Sequence, residues 1–206
     1  MSSTTIALSR PTLADRVIPR SAVNNALLIV SGTAIVAALA QVEVPMWPVP
    51  ITGQTLGVML VGAALGSWRG ASSMMLYLVL GLAGLPIFAG GAGSIAAVAT
   101  PSFGFIIGFV FAAALIGWLS ERRWDRHPLL SGLGFLGASL VPFLFGVPYM
   151  AFILGTLGIP NDIGTVLALG VYPFILGGVV KWAIAASVLP AAWRLVRAVD
   201  EHSSKK

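Results

Sequence analysis

Lys181 stands alone in "PFILGGVVKWAIAA", residues 173–186, among apolar and small residues. An ammonium in such a setting can hold an anion or bond backbone carbonyls. Its burial in an apolar span costs roughly 3 kcal/mol or more, so a partner is expected. The chain offers few. Of its seven acidic residues, Glu43 and Asp162 fall in Gly- and Pro-rich connections. The others fall in the terminal stretches or in "SERRWDRHP". A buried lysine without a carboxylate either loses its proton or takes an anion from elsewhere. The economical partner is the carboxylate of a ligand. The structural alternatives are backbone carbonyls, or Asp162 across a pocket.

The neighbours of Lys181 fit a ligand. On a helix, Gly177 and Gly178 sit at i−4 and i−3 and Ala185 at i+4, which leaves the surface around the ammonium bare. The same small residues also permit close helix packing. Other groups can complete a site. Thr52 and Gln54 flank Gly53 and offer hydrogen bonds in both directions. Tyr149 follows Pro148 inside an apolar stretch, where its hydroxyl needs a partner. Gly91 and Ser94 lie in "LPIFAGGAGS". Trp47, Phe88 and Phe103 are candidates for apolar walls.

The elements that must position these residues are membrane helices. The chain of 206 residues is 57% hydrophobic and 9% charged, against roughly 25% charged in a soluble domain. Its mean hydropathy is +0.94. Period-2 alternation is missing, so spanning helices are expected rather than a barrel. Turn signals divide the chain into spans over 22–40, 53–65, 71–85, 102–119, 133–157 and 173–196. The connection 158–172 has room for one short helix. Residues 1–21 read as a disordered or surface-lying cytoplasmic tail, 22–197 as one six-helix domain, and 198–206 as a second cytoplasmic tail. With six spans both termini share a side. Eleven of the twelve basic residues then lie on it, and Lys181 is the twelfth. The positive-inside rule makes that side cytoplasmic. The first two spans are short for a bilayer core about 30 Å thick, so "VPMWPVPITGQ" and "LPIFAGGAGS" are expected to dip inward and frame a pocket open to the outside.

Several functions lack their chemistry. Cysteine is absent, which removes disulfides and thiolate sites. His127 and His202 lie outside the spans, and no acid or histidine cluster suits a metal or a general base. "GGAGS" precedes no phosphate-binding lysine, so it is not a P-loop. Any ATP energy must therefore come from partners, and no cofactor is expected. The net charge of +5 follows topology and does not point to nucleic acid. A self-sufficient channel or secondary transporter would need coupling acids in the spans, and none is present. A binding subunit remains the leading reading.

Three stretches, in order, carry a family likeness: "AALAQVEVPMWPVPITGQTLGVMLVGAALGSWRGASSMMLYLVLGLAGLPIFAGG", then "TPSFGFIIGF", then "YPFILGGVVK". The chain resembles BioY, the biotin-binding S component of energy-coupling factor (ECF) transporters. The resemblance implies an all-α integral membrane protein with the S-component fold, six transmembrane helices and both termini cytoplasmic. It implies high-affinity biotin capture at a bacterial cytoplasmic membrane. The implied partners are a transmembrane T component and two ABC ATPases, with ATP used only by those partners. A module-independent biotin transporter and a homo-oligomer are left open. The family lysine associated with the biotin carboxylate falls on Lys181. Many relatives read P-G-D-x-x-K there, whereas Gly178 takes the aspartate position in this chain. Asp162, Gln54 and Ser94 are the candidates to replace it. The family's "GPTGGY"-like turn is also altered, to Thr100-Pro101-Ser102-Phe103-Gly104-Phe105. Ala34 and Ala38 form an A-x-x-x-A pair like the surface by which S components dock on the T component, since alanines one turn apart admit another helix.

Overall fold

The computed structural model describes residues 12–203. In chain order these form α1 (Leu13–Val17), α2 (Ala22–Ala40), a hairpin of β1 (Glu43–Val44) and β2 (Ile51–Thr52), α3 (Gln54–Leu65) and α4 (Ser67–Leu82). There follow α5 (Phe103–Glu121), α6 (Pro128–Thr156), α7 (Ile163–Gly170) and α8 (Tyr172–Ser203). Short 3-10 turns occupy Ala89–Gly91, Ile95–Ala99 and Trp124–Arg126.

Four helical stretches are long and apolar enough to cross a membrane: Ala22–Ala40, Phe103–Glu121, Leu129–Thr156 and Ile163–Leu195, the last combining α7 with α8. Helix α3 is apolar but shorter. At 1.5 Å per residue, α3 and α4 are about 18 and about 24 Å long.

The chain enters and leaves these helices at recognisable signals. The Ser21 hydroxyl caps α2 by accepting the Asn24 N–H at 3.0 Å. Pro128 starts α6, where its missing N–H costs nothing. The fifth helical segment therefore begins at Pro128 instead of residue 133, and it runs through Pro142 and Pro148. Helix α7 fills the connection where one short helix was expected. Helix α8 starts at Tyr172 and continues to Ser203, so most of the stretch expected as a terminal tail extends the last helix.

"GSWRG" is not a loop. Helices α3 and α4 meet at Gly66 alone, whose φ of +90° suits glycine. Ser67 to Gly70 form the first turn of α4. The reason is tertiary: Glu121, at the end of α5, accepts the Ser67 N–H and hydroxyl, both at 2.8 Å. A carboxylate from another helix thus caps a helix start that has no side-chain cap of its own.

Helix α5 is the centre of the bundle, against α3, α4 and α6. Lipid gives helices no hydrophobic reason to associate, so contact depends on close packing. Small residues supply it. A Cβ on Gly70 would lie 2.8 Å from the Gly62 Cα, and one on Gly62 would lie 2.7 Å from the Ala113 carbonyl oxygen. One buried cluster joins Val36, Val58, Met74, Tyr77, Phe88 and Phe109. A second joins Met59, Ile116, Phe135, Ala185 and Leu189 and ties α8 to α3, α5 and α6. The first interhelix connection packs partly against the bundle. Val49 and Pro48 are buried, and Val49 packs in a third cluster with Phe105, Met150, Leu154 and Val166. The connection itself is an antiparallel hairpin pairing Glu43 with Thr52 and Val44 with Ile51.

Residues 12–21 form α1 and the lead into α2; residues 1–11 lie outside the described residues. Thr12 and Asp15 form a reciprocal capping box on α1. The Arg20 guanidinium grips Asp15 at 3.0 and 2.8 Å. Arg69, from the first turn of α4, donates to Asp15 at 2.8 Å, to Thr12 at 3.1 Å, to Asn25 at 3.3 Å and to the Leu65 carbonyl at 2.8 Å. Burial works to raise the Asp15 carboxyl. Hydrogen bonds from Arg20, Thr12 and Arg69 outweigh it and hold the group well below the ordinary carboxylate range.

Candidate ligand-binding site

The site lies at the opposite end of α3 from this clamp. Lys181 extends from α8 toward the start of α3. Its ammonium donates to the backbone carbonyl of Thr52 and, at 3.2 Å, to the Thr55 hydroxyl. Among the described residues no ion pair includes Lys181. Of the two structural alternatives, the backbone-carbonyl arrangement is the one present. The other is absent: Asp162 uses both carboxylate oxygens on α7, accepting from the Gly164 N–H at 3.0 Å and from the Thr165 N–H and hydroxyl at 3.1 and 2.6 Å. It is an N-cap.

The face of α8 beside Lys181 is bare. A Cβ on Gly178 would meet nothing within 4 Å, and one on Gly177 would meet only Ile51 of the hairpin, at 3.6 Å. Trp182 turns the other way and donates to the Gly132 carbonyl of α6 at 2.7 Å. This bond fixes the rotation of α8 and so the direction in which Lys181 leaves it.

Thr52 and Gln54 are buried and belong to one polar chain. The Thr52 hydroxyl donates to Gln54 Oε1 at 2.7 Å. Gln54 Nε2 donates to the Tyr77 hydroxyl at 2.7 Å, and that hydroxyl donates to the Ile87 carbonyl at 3.0 Å. The connection 83–102, between α4 and α5, is thereby tied to the hairpin. Gln41, at the end of α2, holds it as well. Its Nε2 donates to the Phe88 carbonyl at 3.1 Å, and its Oε1 accepts the Gly91 N–H at 3.0 Å. Gly91 thus meets Gln41 through its backbone.

The remaining candidates lie along the connection 83–102 or at its edge. Ser94 caps the turn Ile95–Ala99 by accepting the Ala96 N–H at 3.2 Å. The Tyr149 hydroxyl finds its partner in the Val98 carbonyl. Its ring lies 5.9 Å from that of Phe103. Phe88 is a core plug, packed edge-on to Tyr77 at 5.3 Å, and Phe103 is buried in the same cluster. Trp47 is 57% exposed and walls nothing. Lys181, Thr52 and Gln54 are thus brought together, and Gly178 lies beside the lysine. Gly91, Ser94 and Tyr149 gather separately around residues 88–99. Ala34 and Ala38 sit on the exposed face of α2, while Thr33, Val36 and Ala40 turn inward.

Sequence reasoning missed Thr55, Tyr77 and Gln41. Each left a signal: a hydroxyl one residue past Gln54, a tyrosine within an apolar helix, and an amide at a helix end. None of these says which partner it will meet.

The BioY family model matches residues 10–198. The biotin transporter BioY of Rhizobium etli is 39% identical over 68% of this chain and 75% of its own. Biotin transporter BioY2 of Lactococcus lactis is 32% identical over 86% of this chain and 92% of its own. The chain belongs to the BioY family. In this BioY family member the fold agrees with a solved relative. The crystal structure of the S-component for biotin from an ECF-type ABC transporter aligns with a TM-score of 0.64 at 27% identity, covering 84% of this chain and 92% of that one. Family membership and the four apolar helical stretches together make the chain a membrane protein.

Proposed function

We propose that this chain captures biotin on the outer side of a bacterial cytoplasmic membrane, as the substrate-binding subunit of an ECF-type transporter. In this reading α2, α3, α4, α5, α6 and α8 cross the membrane, and both termini are cytoplasmic. The one-sided distribution of basic residues supports that orientation. The hairpin and the connection 83–102 make up the depth that α3 and α4 lack.

The observation that carries the reading is Lys181. Its ammonium rests on a carbonyl and a hydroxyl, with no carboxylate partner among the described residues, beside an open face at Gly178. Biotin presents a carboxylate on an apolar chain, together with a ureido ring and a thioether. Its carboxylate can replace the neutral partners of Lys181 with a charge-assisted pair. Gln54, Thr52, Tyr149, Ser94 and the backbone at Gly91 are the polar groups proposed around the rest of the ligand, with Gly178 leaving room for it. The names of the relatives support biotin over other carboxylates. The exposed Ala34 and Ala38 support docking of a T component on α2, and two ATPases supply the energy.

A ligand survey on the purified protein tests capture. Biotin should raise the thermal midpoint by mass action, whereas thiamine and riboflavin should not. An unchanged midpoint at saturating biotin contradicts the reading. Uptake in cells with and without the ATPases tests the partnership; uptake that persists without them replaces it with module-independent transport.

A further inference from the structure

The hydrogen bonds between Ile87 and Thr52 have a direction fixed by chemistry. A backbone carbonyl only accepts, so the Tyr77 hydroxyl gives its single proton to Ile87, at 3.0 Å. The Tyr77 oxygen can then only accept. The group that Gln54 turns toward it, at 2.7 Å, must be the NH2. The Gln54 carbonyl is left facing Thr52, whose hydroxyl donates to it at 2.7 Å. The Gln54 backbone N–H closes the turn on the Thr52 oxygen at 3.3 Å. Thr52 in turn offers its own carbonyl to Lys181. Tyr77, Gln54 and Thr52 are 0%, 6% and 8% exposed, so water does not compete freely for these groups.

We propose that Tyr77 is a positioning residue of the ligand site. By taking the Gln54 NH2 it sets the orientation of that amide, and through the amide it sets Thr52, which seats Lys181. The orientation holds only while Ile87 is docked, so the position of the connection 83–102 is read out at the lysine. Gln54 keeps one N–H and one carbonyl lone pair beyond these bonds. Tyr77 thus acts on the carboxylate end of the ligand without touching it. This assignment rests on the biotin reading above.

The test is a double-mutant cycle with Tyr77→Phe and Gln54→Met, measured as biotin affinity by calorimetry. Tyr77→Phe keeps the buried ring and removes one oxygen. It should weaken biotin about tenfold, the effect of one buried hydrogen bond. In the Gln54→Met background the same change should weaken biotin less than about twofold. A ring that merely fills the core would lose nothing in the first background, or the same in both; either result overturns the proposal. The cycle is repeated on the thermal midpoint of the ligand-free protein. A wild type that binds no biotin refutes the biotin reading. Additive midpoint losses refute the hydrogen-bonded chain, whatever the ligand.

Discussion

Two cationic side chains, one at each end of α3, meet opposite fates. Arg69 is 9% exposed and finds a carboxylate, a hydroxyl, an amide and a helix C-terminal carbonyl. Lys181, at the other end, finds a neutral carbonyl and a hydroxyl and no carboxylate among the described residues. The first arrangement is complete within the chain and joins α1, α2, α3 and α4. The second is left short of one negative charge. Arg69 is partnered as a structural cation is, whereas the half-buried Lys181 is the one for which a ligand carboxylate is proposed. Residue type also follows the role. Arginine's planar fork suits several fixed acceptors at once, whereas lysine's single ammonium can change partners.

The comparison breaks most sharply at Lys181. Lys181→Ala should weaken biotin binding about 100-fold or more, as expected for loss of a buried charge-assisted pair. It should leave the ligand-free thermal midpoint near that of the wild type, because only neutral partners are released. Calorimetry and a melt on the same preparation check both halves.

Asp15→Ala should do the reverse. Removing the acceptor of Arg20 and Arg69 should destabilise the fold by about 1–3 kcal/mol and leave biotin affinity within about twofold. The pH dependence sharpens this. The folded-state pKa of Asp15 is depressed. Its contribution is therefore fully present above the unfolded value near 3.9 and is lost as pH falls through the lower folded value. Melts of the wild type below about pH 4 should show this loss, and melts of Asp15→Ala should lack that component.

Asp125 gives a smaller effect of opposite sign. Burial pushes its carboxyl up, partly offset by hydrogen bonds from Trp193 and Ser120. With a raised folded-state pKa, the protonated form favours the fold, and that stability is lost as pH rises through the folded value. Asp125→Asn should therefore equal or exceed the wild type in thermal midpoint at pH 7. The advantage should shrink as the pH is lowered and the wild-type carboxyl takes up its proton.

The smallest effect belongs to Gly178→Ala. The added methyl meets nothing in the ligand-free protein, so the fold should tolerate it. Biotin affinity should fall a few-fold, roughly 1 kcal/mol or less, if the ligand lies against that face.

Much of this was legible in the sequence, unevenly. The starts and ends of most helices follow proline, glycine and charge, and those signals are local. Lys181 was legible because a charge in an apolar run is conspicuous wherever the helix points. The faces of the helices were not. Helix α5 is apolar all round, with Phe109 buried and Phe111 half exposed. In lipid the outer face is as apolar as the core, so periodicity carries no inside or outside. Pairings between distant residues were hidden for a related reason. Nothing local to "GSWRG" says that Glu121 will cap it. Nothing local to "TLADR" says that Arg69 will turn it into a docked helix. Tyr77 reads as an ordinary core aromatic until Gln54 and Ile87 are seen on either side of its hydroxyl.

The central proposal is that Lys181 has no carboxylate partner among the described residues because the ligand supplies one. The most direct measurement is calorimetric binding of biotin and of biotin methyl ester, whose carboxylate is masked, to the wild type and to Lys181→Ala. The account predicts that the wild type prefers biotin by about 100-fold, and that the variant binds both equally and weakly. A Lys181→Ala protein that binds biotin as the wild type does, or still prefers it over the ester by the same factor, would contradict it.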